Sequence, residues 1–320
     1  MTFAGSPQRS EARLVPEAGF EFDPFEVSGF PRRPGPALIR ALVQSAGAMR
    51  ACGRILAGRR PDAVLGGGGY VSGPMVLAAA RRRIPAALLE ADAHLGLANR
   101  VAAPFVRRVF LSFPIEGLEG EKYRVTGRPI PARSRRVGRA QARSRFDLPA
   151  DGPVLLVFGG SQGARSLNEL AVEAFADDGP LVLHLAGERD YPHLRARVGR
   201  PGYRLLPFTD DFGAALGAAD VALARAGGSV WELAAAGLPS VLVPYPSATA
   251  DHQTLNASHF AEGGGALLVP ESELPTVPAL LRSLLEDAGK RREMEVAMLR
   301  LARPGAAEEV AEELIALAST

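Results

Sequence analysis

The stretch ARAGGSVWELAAAGLPSVLVPYPSATADHQ, residues 224–253, decides the fold. A short apolar segment over residues 220–224 runs into a glycine turn at Gly227 and Gly228, which predicts a strand that ends at the turn. A helix is predicted to start at Ser229, and a second strand is predicted over residues 240–243. The stretch therefore indicates one strand–helix–strand unit of a parallel sheet.

This unit carries the side chains that a nucleotide sugar needs. Its glycines let the backbone approach an oxyanion, and the start of the helix offers unpaired N–H groups, with Ser229 able to cap or donate. Glu232, one turn into the helix, is placed to accept from ribose hydroxyls. The loop that follows brings Asp251, His252 and Gln253 toward the same sheet edge, where ligands of open α/β sheets bind. The alternative is an ordinary unit in which the glycines only turn the chain.

A second glycine loop makes the pocket more specific. The apolar run VLLVF, residues 154–158, is followed by GGSQG at 159–163, and a helix is predicted from about Ala164. Ser161 and Gln162 lie at the mouth of that helix, where they are expected to hold a diphosphate jointly with the Gly227 turn. Further strands alternate with helices through the second half, which predicts a parallel sheet with right-handed crossovers.

The composition limits the classes of protein to which the chain can belong. The chain has 320 residues, 47% hydrophobic and 22% charged, which predicts a soluble globular protein with two sizeable cores. One cysteine, Cys52, excludes a disulfide framework and a cysteine-based zinc cluster. No apolar run reaches the length of a membrane-spanning helix, and the first residues lack a signal-peptide core, so a cytoplasmic location is expected.

The two halves of the chain differ in charge. Residues 1–150 contain 24 Lys and Arg against 12 Asp and Glu, whereas residues 151–320 contain 13 against 23. The basic half suits an anionic partner such as a phospholipid surface or a pyrophosphate. Nucleic acid is not expected as a partner, because only 6% of residues are aromatic and the arginine clusters lack interleaved rings that would stack on bases.

The first half also alternates strands and helices. A helix with arginines on one side is predicted over residues 36–58, then a strand over 62–65, a glycine loop, and a helix from about Pro74. The loop residues Gly67, Gly68, Gly69 and Tyr70 form a phosphate-compatible turn, but they do not match the dinucleotide fingerprint.

The best catalytic candidates follow the next strand, predicted over residues 85–89. Glu90, Asp92 and His94 come at its carboxyl end, where open-sheet enzymes keep their chemistry. The alternative is that the two carboxylates cap the helix near Gly96 and that His94 is an exposed loop residue. No cluster of ligand residues indicates a metal. The neighbouring Asp210 and Asp211 are expected to cap a helix.

Three segments are predicted from these patterns. Residues 1–133 form an N-terminal domain and residues 134–303 a C-terminal nucleotide-sugar-binding domain, with the arginine-rich stretch 133–145 as a linker. A last helix, residues 306–318, has one apolar side that needs a partner, and residues 304–320 are expected to pack back on the N-terminal domain.

Six segments in chain order resemble the MurG family of peptidoglycan glycosyltransferases. They are GGGGYVSGP (66–74), EADAHLGLANR (90–100), TGRP (126–129), FGGSQGARSLN (158–168), ARAGGSVWELAAAGLPSVLVP (224–244) and DHQTLNA (251–257). The resemblance implies the α/β GT-B fold, in which two Rossmann-like parallel-sheet domains face each other across a cleft. It also implies transfer of N-acetylglucosamine from UDP-N-acetylglucosamine to the undecaprenyl-pyrophosphoryl-muramyl-pentapeptide lipid, with inversion at the anomeric carbon and no required cofactor. The protein is then expected as a peripheral protein on the cytoplasmic face of the membrane.

The resemblance assigns roles to individual positions. Glu90 is the first choice for the base, with Asp92 and His94 behind it, and the loop 67–70 is on the acceptor side. The donor residues that match the family's motifs are Ser161, Gln162, Thr209, Gly228, Ser229, Glu232 and Gln253, with Thr209 at the uracil, Glu232 at the ribose and Gln253 at the sugar.

Departures from the family pattern carry expectations of their own. The family's first strand and its GGTGGH loop are not found, so a central strand position of the N-terminal sheet is expected to stand empty, with low stability as a result. Asp92 stands where the family commonly has asparagine, and Pro131 where an arginine often contacts the ligand. Two alternatives follow: an inactive or truncated nucleotide-sugar-binding protein, and a UDP-N-acetylglucosamine 2-epimerase-like enzyme, which would not need the basic half.

Overall fold

The computed structural model describes residues 1–27, 36–160 and 163–319, and of residues 36–46 it describes the backbone only. Contacts divide the chain into two compact units. Unit 1 contains residues 1–126 and 308–320, and unit 2 contains residues 127–307. The predicted α/β class with parallel sheets in two domains is confirmed.

Unit 1 alternates short strands with helices. Its strands are β1 (Thr2–Gly5), β2 (Glu21–Pro24), β3 (Val64–Gly66), β4 (Ala86–Glu90), β5 (Arg108–Leu111) and β6 (Tyr123–Val125). Its first helices are α1 (Glu11–Glu17), α2 (Pro36–Arg59), α3 (Gly69–Arg81) and α4 (Leu97–Ala102). All strand pairs are parallel, and β4 is almost wholly buried because helices cover both faces of such a sheet.

The strands of unit 1 form two separate sheets. β1 pairs with β2, while β3, β4, β5 and β6 form a second sheet in that order. Over the described residues, neither β1 nor β3 has a strand on its other edge. Phe3 and Leu65, in the middle of these two strands, are 38% and 39% exposed. The strand pairing of unit 1 is therefore interrupted over the described residues.

Unit 2 holds one continuous parallel sheet. Its strands are β7 (Val154–Phe158), β8 (Leu181–Leu185), β9 (Tyr203–Leu206), β10 (Val221–Ala224), β11 (Ser240–Leu242) and β12 (Ala266–Leu268). They lie in the order β12-β11-β10-β7-β8-β9, so the strand order reverses between β7 and β10. Ala224 is paired with Phe158 at the carboxyl ends of these two strands, which places both predicted glycine loops at the switch point.

The helices of unit 2 cover both faces of this sheet. They are α5 (Arg139–Arg145), α6 (Arg165–Phe175), α7 (Tyr191–Leu194), α8 (Phe212–Ala218), α9 (Val230–Ala235), α10 (His252–Glu262), α11 (Val277–Glu286) and α12 (Ala288–Leu301). The apolar sides of α6 and α11 pack with β7, β8 and β10 in one core, around Leu155, Leu167 and Leu281.

A last helix, α13 (Ala306–Ala318), has the bounds predicted from the sequence. Its residues Val310 and Leu317 are buried against Ala87 of β4 and Phe110 of β5. Glu313 pairs with Arg108 at 3.1 Å between carboxylate oxygen and guanidinium nitrogen. The helix thus covers one face of the four-stranded sheet of unit 1.

The stretch predicted to be a linker is instead folded into unit 2, and that prediction is wrong for α5. Arg143 is 1% exposed, although it is charged. Its guanidinium donates to the carbonyls of Ala218, Pro149, Ala150 and Gly152 and to the Asp220 carboxylate, which together satisfy a buried cation. A local pattern of arginines does not reveal partners that lie up to 77 residues away.

The start of α3 also differs from the prediction. The helix begins at Gly69, and Pro74 lies inside it. Gly68 has a φ of 89°, which L-residues avoid, and this glycine turn rather than the proline sets the helix start. Over the described residues, no helix has both the length and the hydropathy needed to cross a bilayer.

Candidate functional site

A cavity of about 960 Å³ lies in unit 2 at the switch point between β7 and β10. Both glycine loops contribute to its wall, Gly159, Gly160 and Gly163 from one and Gly227, Gly228 and Ser229 from the other. Thr209, Glu232 and Gln253 also line it. Five of the seven predicted donor residues are thus brought together in one cavity. The other two, Ser161 and Gln162, lie outside the described residues.

The first loop is shaped by glycines that no other residue can replace. A Cβ atom on Gly163 would lie 2.3 Å from the carbonyl oxygen of Ala186, and the residue has a φ of +71°. A Cβ atom on Gly159 would lie 2.3 Å from the Cβ of Ala164. Gly159 and Gly163 are therefore packed tightly at the end of β7 and before the start of α6, and both line the cavity.

The second loop presents Ser229 and Glu232. Ser229 is the residue before α9, and its hydroxyl makes no capping hydrogen bond. Glu232 lies in the first turn of that helix and is partly buried. No described residue donates a hydrogen bond to its carboxylate, so its oxygens face the cavity as acceptors without a protein partner.

Gln253 and Thr209 are held by backbone groups. The side-chain oxygen of Gln253 accepts from the N–H of Tyr245 at 2.9 Å, which leaves its amide N–H groups as the donors toward the cavity. The hydroxyl of Thr209 accepts from the N–H of Asp211 at 3.1 Å. Asp211 caps α8 through a bond from the N–H of Ala214, as the sequence predicted.

Asp251 and His252 are not part of the cavity wall. Asp251 accepts a hydrogen bond from the Thr254 hydroxyl at 2.7 Å, and the ring of His252 contacts the carbonyl of Thr249 at 2.8 Å. Both residues therefore organise the turn before α10. The expectation that they approach the ligand with Gln253 is not met, because the helix begins at His252 and turns only Gln253 inward.

The cavity is rich in positive charge. Five arginines line it against three carboxylates: Arg128, Arg133, Arg165, Arg189 and Arg225 against Asp210, Glu232 and Glu271. The buried Asp190 carboxylate, which binds Arg165 and Arg189, reduces this excess of two cations to one. The remaining positive charge suits an anionic ligand such as a nucleoside diphosphate ester. Opposite charge focused by a concave wall raises the local concentration of such a ligand.

Arg225 is a buried residue of the cavity wall that the sequence did not predict. It is 8% exposed, and its guanidinium donates to the carbonyls of Val243 and Pro244, at 3.1 Å each, and to Glu271. Burial alone would raise the pKa of Glu271, but the hydrogen bonds from Arg225 and Ser166 outweigh it and hold that pKa below its usual range. Arg225 thus ties the ends of β10 and β11 together.

Asp190 anchors two more of the arginines. It is completely buried and binds Arg189 at 3.0 Å and Arg165 at 3.3 Å, with the amide of Asn168 as a third donor. The hydrogen bonds from Arg189 hold the pKa of Asp190 below its usual range, against the opposing effect of burial. One buried carboxylate therefore fixes two guanidinium groups at the rim of the cavity.

In unit 1, the three predicted catalytic residues lie on or beside one loop. Glu90 is 6% exposed, and its two carboxylate oxygens accept from the N–H groups of Ala91, Asp92 and Gly96 and from the amide of Asn99. Asp92 and His94 are partly buried, and His94 lines a separate cavity of about 570 Å³. Glu90 is thus saturated with donors, an arrangement typical of a residue that organises a loop.

The predicted acceptor-side loop, residues 67–70, opens α3. Gly68 and Gly69 have φ values of 89° and 69°. The hydroxyl of Tyr70 accepts a hydrogen bond from Arg9 at 3.1 Å, and the guanidinium of Arg9 also packs over the tyrosine ring. Across the described residues, no group of three or more His, Cys, Asp and Glu side chains has the geometry of a metal site.

Both halves of the chain match models of glycosyltransferase family 28. The N-terminal domain model matches residues 2–111, and the C-terminal domain model matches residues 154–310. Together with the two parallel-sheet units and the cavity at the switch point, these matches define the class of protein. It is a glycosyltransferase with the GT-B fold.

Individual relatives narrow the assignment. The chain is 40% identical to the UDP-N-acetylglucosamine–N-acetylmuramyl-(pentapeptide) pyrophosphoryl-undecaprenol N-acetylglucosamine transferase of Halorhodospira halophila, over 97% of this chain and 88% of that protein. The crystal structure of Acinetobacter baumannii MurG is similar with a TM-score of 0.79 and 28% identity, covering 98% of this chain and 90% of that one. The chain belongs to the MurG family.

A third similarity shows the fold alone. The UDP-GlcNAc 2-epimerase from Neisseria meningitidis, solved with bound UDP-GlcNAc, has a TM-score of 0.64 to this structure at 13% identity. The comparison covers 98% of this chain and 90% of that one. A shared fold does not establish a shared reaction.

Proposed function

We propose that this protein transfers N-acetylglucosamine from UDP-N-acetylglucosamine to the undecaprenyl-pyrophosphoryl-muramyl-pentapeptide lipid, a step of peptidoglycan synthesis. The observation that carries the proposal is the cationic cavity at the switch point of unit 2, in a chain of the MurG family. In this proposal the donor site lies in unit 2 and the acceptor site lies in unit 1.

The donor is held by groups suited to each of its parts. The diphosphate lies between the two glycine loops, where backbone N–H groups and arginines surround it, and Ser161, Gln162 and Ser229 complete this site. The ribose hydroxyls donate to Glu232, the uracil meets the backbone at Thr209, and the sugar hydroxyls accept from the amide of Gln253. No described residue donates to the carboxylate of Glu232. The side chains of Thr209 and Gln253 are oriented by hydrogen bonds from backbone N–H groups.

The reaction is a single displacement with inversion. The acceptor hydroxyl attacks the anomeric carbon on the face opposite UDP, the C–O bond to UDP breaks, and its electrons pass to the departing phosphate oxygen. Preorganised N–H groups and guanidinium groups stabilise the charge that develops there. No metal is required for this step, since the cations of the cavity wall supply the counter-charge.

A base takes the proton from the attacking hydroxyl. The carboxylate of Glu90 is the sequence-based first choice, but four N–H groups already occupy its two oxygens. Asp92 and His94, on the loop that Glu90 organises, are therefore the residues to test first. Asp92 stands where the family commonly has asparagine, so Asp92→Asn should keep activity and His94→Gln is the decisive variant. Loss of the base lowers kcat while donor binding stays normal.

The acceptor lies in a bilayer, and unit 1 has a surface suited to it. Leu97, Val101 and Phe105 are 68%, 55% and 57% exposed, at spacings that put them on one side of α4 and the turn after it. Arg100 and Arg107 are exposed beside them. Apolar side chains next to cations are typical of a protein that rests on anionic headgroups. We propose a peripheral location on the cytoplasmic face of the membrane.

Helix α2 also carries arginines, but the described part of it packs into unit 1. Its residues Cys52 and Leu56 are buried in the core of unit 1. Arg59, at its end, is paired with Asp23 and Glu21 at 2.9 Å and 2.8 Å. The α4 surface is therefore the stronger candidate for membrane contact.

The test is a transfer assay with radiolabelled UDP-N-acetylglucosamine and a lipid-linked muramyl-pentapeptide acceptor of shortened chain. We expect label in the lipid product, also in the presence of a chelator, and a strongly reduced rate of labelling with the Glu232→Ala variant. Release of free N-acetylglucosamine alone, or conversion of the donor to its 2-epimer, would contradict the proposal.

A second candidate function is binding of the nucleotide sugar without transfer. The observation that favours it is the break between the two sheets of unit 1, because the acceptor side lies in that unit. The same assay separates the two, since a protein that only binds shows normal affinity for the donor and no labelled lipid.

A further inference from the structure

We propose that Arg128 binds the diphosphate of the nucleotide sugar, and that the absence of a side chain at Gly228 allows it to do so. The inference rests on the proposed function, and it adds to the donor site a residue that is not among the seven predicted donor residues, although it lies in the TGRP segment. It concerns only unit 2, which holds both residues.

The backbone before Arg128 is fixed to unit 2 by close packing. A Cβ atom on Gly127 would lie 2.3 Å from the Cβ of Arg303 and 3.6 Å from a ring carbon of Trp231, and Gly127 has a φ of +82°. No other residue fits this position without a shift of the backbone. The direction in which Arg128 leaves the chain is therefore set by the packing of its neighbour.

The guanidinium of Arg128 lies directly over the second glycine loop. A Cβ atom on Gly228 would come within 2.4 Å of its central carbon and within 2.6 Å and 2.7 Å of its two terminal nitrogens. Gly227, the preceding residue, has nothing within 4 Å of such an atom. Only one of the two neighbouring glycines is thus required by the position of the arginine.

Arg128 also differs from most other cations of the cavity in its partners. Arg165 and Arg189 are bound to Asp190, and Arg225 is bound to Glu271. Arg128 has no carboxylate partner among the residues that the structure describes, and it is partly buried. A partly desolvated guanidinium without a counter-ion favours an anionic ligand.

The chemistry of the group matches a diphosphate. A guanidinium presents its N–H groups as a planar fork, which donates two parallel hydrogen bonds to phosphate oxygens. Its place against Gly228 puts the fork beside the loop that the proposed function assigns to the diphosphate. Uridine lacks the phosphates, so Arg128 contributes to the binding of UDP but not to that of uridine.

The test compares UDP with uridine as ligands in calorimetric titrations of the full chain. For Arg128→Ala we expect the affinity for UDP to fall about 10- to 100-fold, as for the loss of a charge-assisted hydrogen-bond pair. The affinity for uridine should change less than about twofold. Arg128→Lys should keep part of the UDP affinity. The matched control is Arg195→Ala, an exposed arginine of unit 2 that does not line the cavity, for which we expect less than about a threefold change.

A second pair of variants tests the geometry. Gly228→Ala should displace the guanidinium and weaken UDP binding. In the Arg128→Ala background, Gly228→Ala should lower the affinity for UDP much less than it does in the wild type, because the guanidinium that it displaces is already absent.

The outcomes are distinct. Unchanged UDP affinity in Arg128→Ala overturns the inference, and so does an equal loss for UDP and uridine in a variant that unfolds at the wild-type urea midpoint. If the wild-type chain binds neither ligand although it is folded, the proposed function itself fails.

Discussion

The backbone N–H of Gly96 donates a hydrogen bond to the carboxylate of Glu90, with 2.9 Å between the nitrogen and Oε2. The amide of Asn99 donates to the same oxygen at 2.9 Å, and the N–H groups of Ala91 and Asp92 donate to the other at 3.0 Å and 3.3 Å. Hydrogen bonds to one buried carboxylate therefore organise the loop after β4, and Asp92 and His94 lie on that loop.

We expect Glu90→Gln to lower stability as well as activity. The glutamine amide keeps one acceptor oxygen, so one pair of donors loses its acceptor, at a cost of about 2–4 kcal/mol in the free energy of unfolding of unit 1. Urea unfolding monitored by circular dichroism measures this cost.

A role of Glu90 as the catalytic base predicts a different result. If Glu90 takes the proton from the acceptor, Glu90→Gln should lower kcat by about 10²- to 10⁴-fold and leave the urea midpoint unchanged. His94→Gln is the comparison on the same loop, and we expect the larger effect on kcat there, with UDP affinity unaltered.

Glu232→Ala should weaken UDP and uridine alike. Its carboxylate is placed for the ribose, which both ligands contain, and loss of a hydrogen bond to a charged acceptor lowers affinity by about 10-fold or more. Titration calorimetry with both ligands measures the effect, and Asp210→Asn, at another carboxylate of the cavity, is the control. Wild-type affinity in Glu232→Ala would show that the ribose binds elsewhere.

Stability should fall on mild acidification because of His184. The ring is fully buried, accepts from the hydroxyl of Tyr203 and donates to the side-chain oxygen of Asn168, since the nitrogen of that amide is already bound to Ala186 and Asp190. Desolvation lowers the pKa of His184 to about 3. In the unfolded chain the pKa is about 6.5, so the stabilisation is complete above about pH 6.5 and decreases as the pH falls toward 3.

The expected slope is up to about 1.4 kcal/mol of unfolding free energy per pH unit between pH 6 and 4. Urea unfolding of wild type and His184→Gln across this range measures it. Desolvation also lowers the pKa of His259, so the difference between the two slopes, rather than either slope alone, belongs to His184. Parallel curves for the two proteins would exclude this residue as the source.

The exposed apolar residues of α4 should matter for binding to membranes. We expect Leu97→Asn combined with Phe105→Asn to lower the partition into vesicles of phosphatidylglycerol and phosphatidylcholine by about 10- to 100-fold. The reason is that the variant lacks the two large apolar side chains that would move from water into the bilayer. Vesicle sedimentation measures the partition. Val296→Asn, at a 53% exposed residue of unit 2, should partition like wild type.

Local patterns in the sequence predicted much of the framework. The bounds of β7 and α13 agree with the prediction, since a continuous apolar run and a stripe at helical spacing are signals contained within the segment itself. Gly228, Glu232 and Gln253 were likewise expected at one sheet edge, and the parallel order of the strands brings them into one cavity.

What the sequence did not predict depends on distant partners. The burial of Arg143 follows from Asp220, and the place of Arg128 follows from Gly228, 100 residues further along the chain. No period or spacing encodes such contacts. Three of the four donors on Glu90 were hidden for a different reason, because they are backbone N–H groups, which carry no sequence signal.

Because α13 covers Ala87 and Phe110, the core of unit 1 is closed by residues that the ribosome makes after the whole of unit 2. One face of the four-stranded sheet therefore remains uncovered and apolar until α13 emerges. During this interval the nascent chain is the form most prone to aggregate, and a chaperone that shields the waiting sheet would act on the first half of the chain rather than on the last.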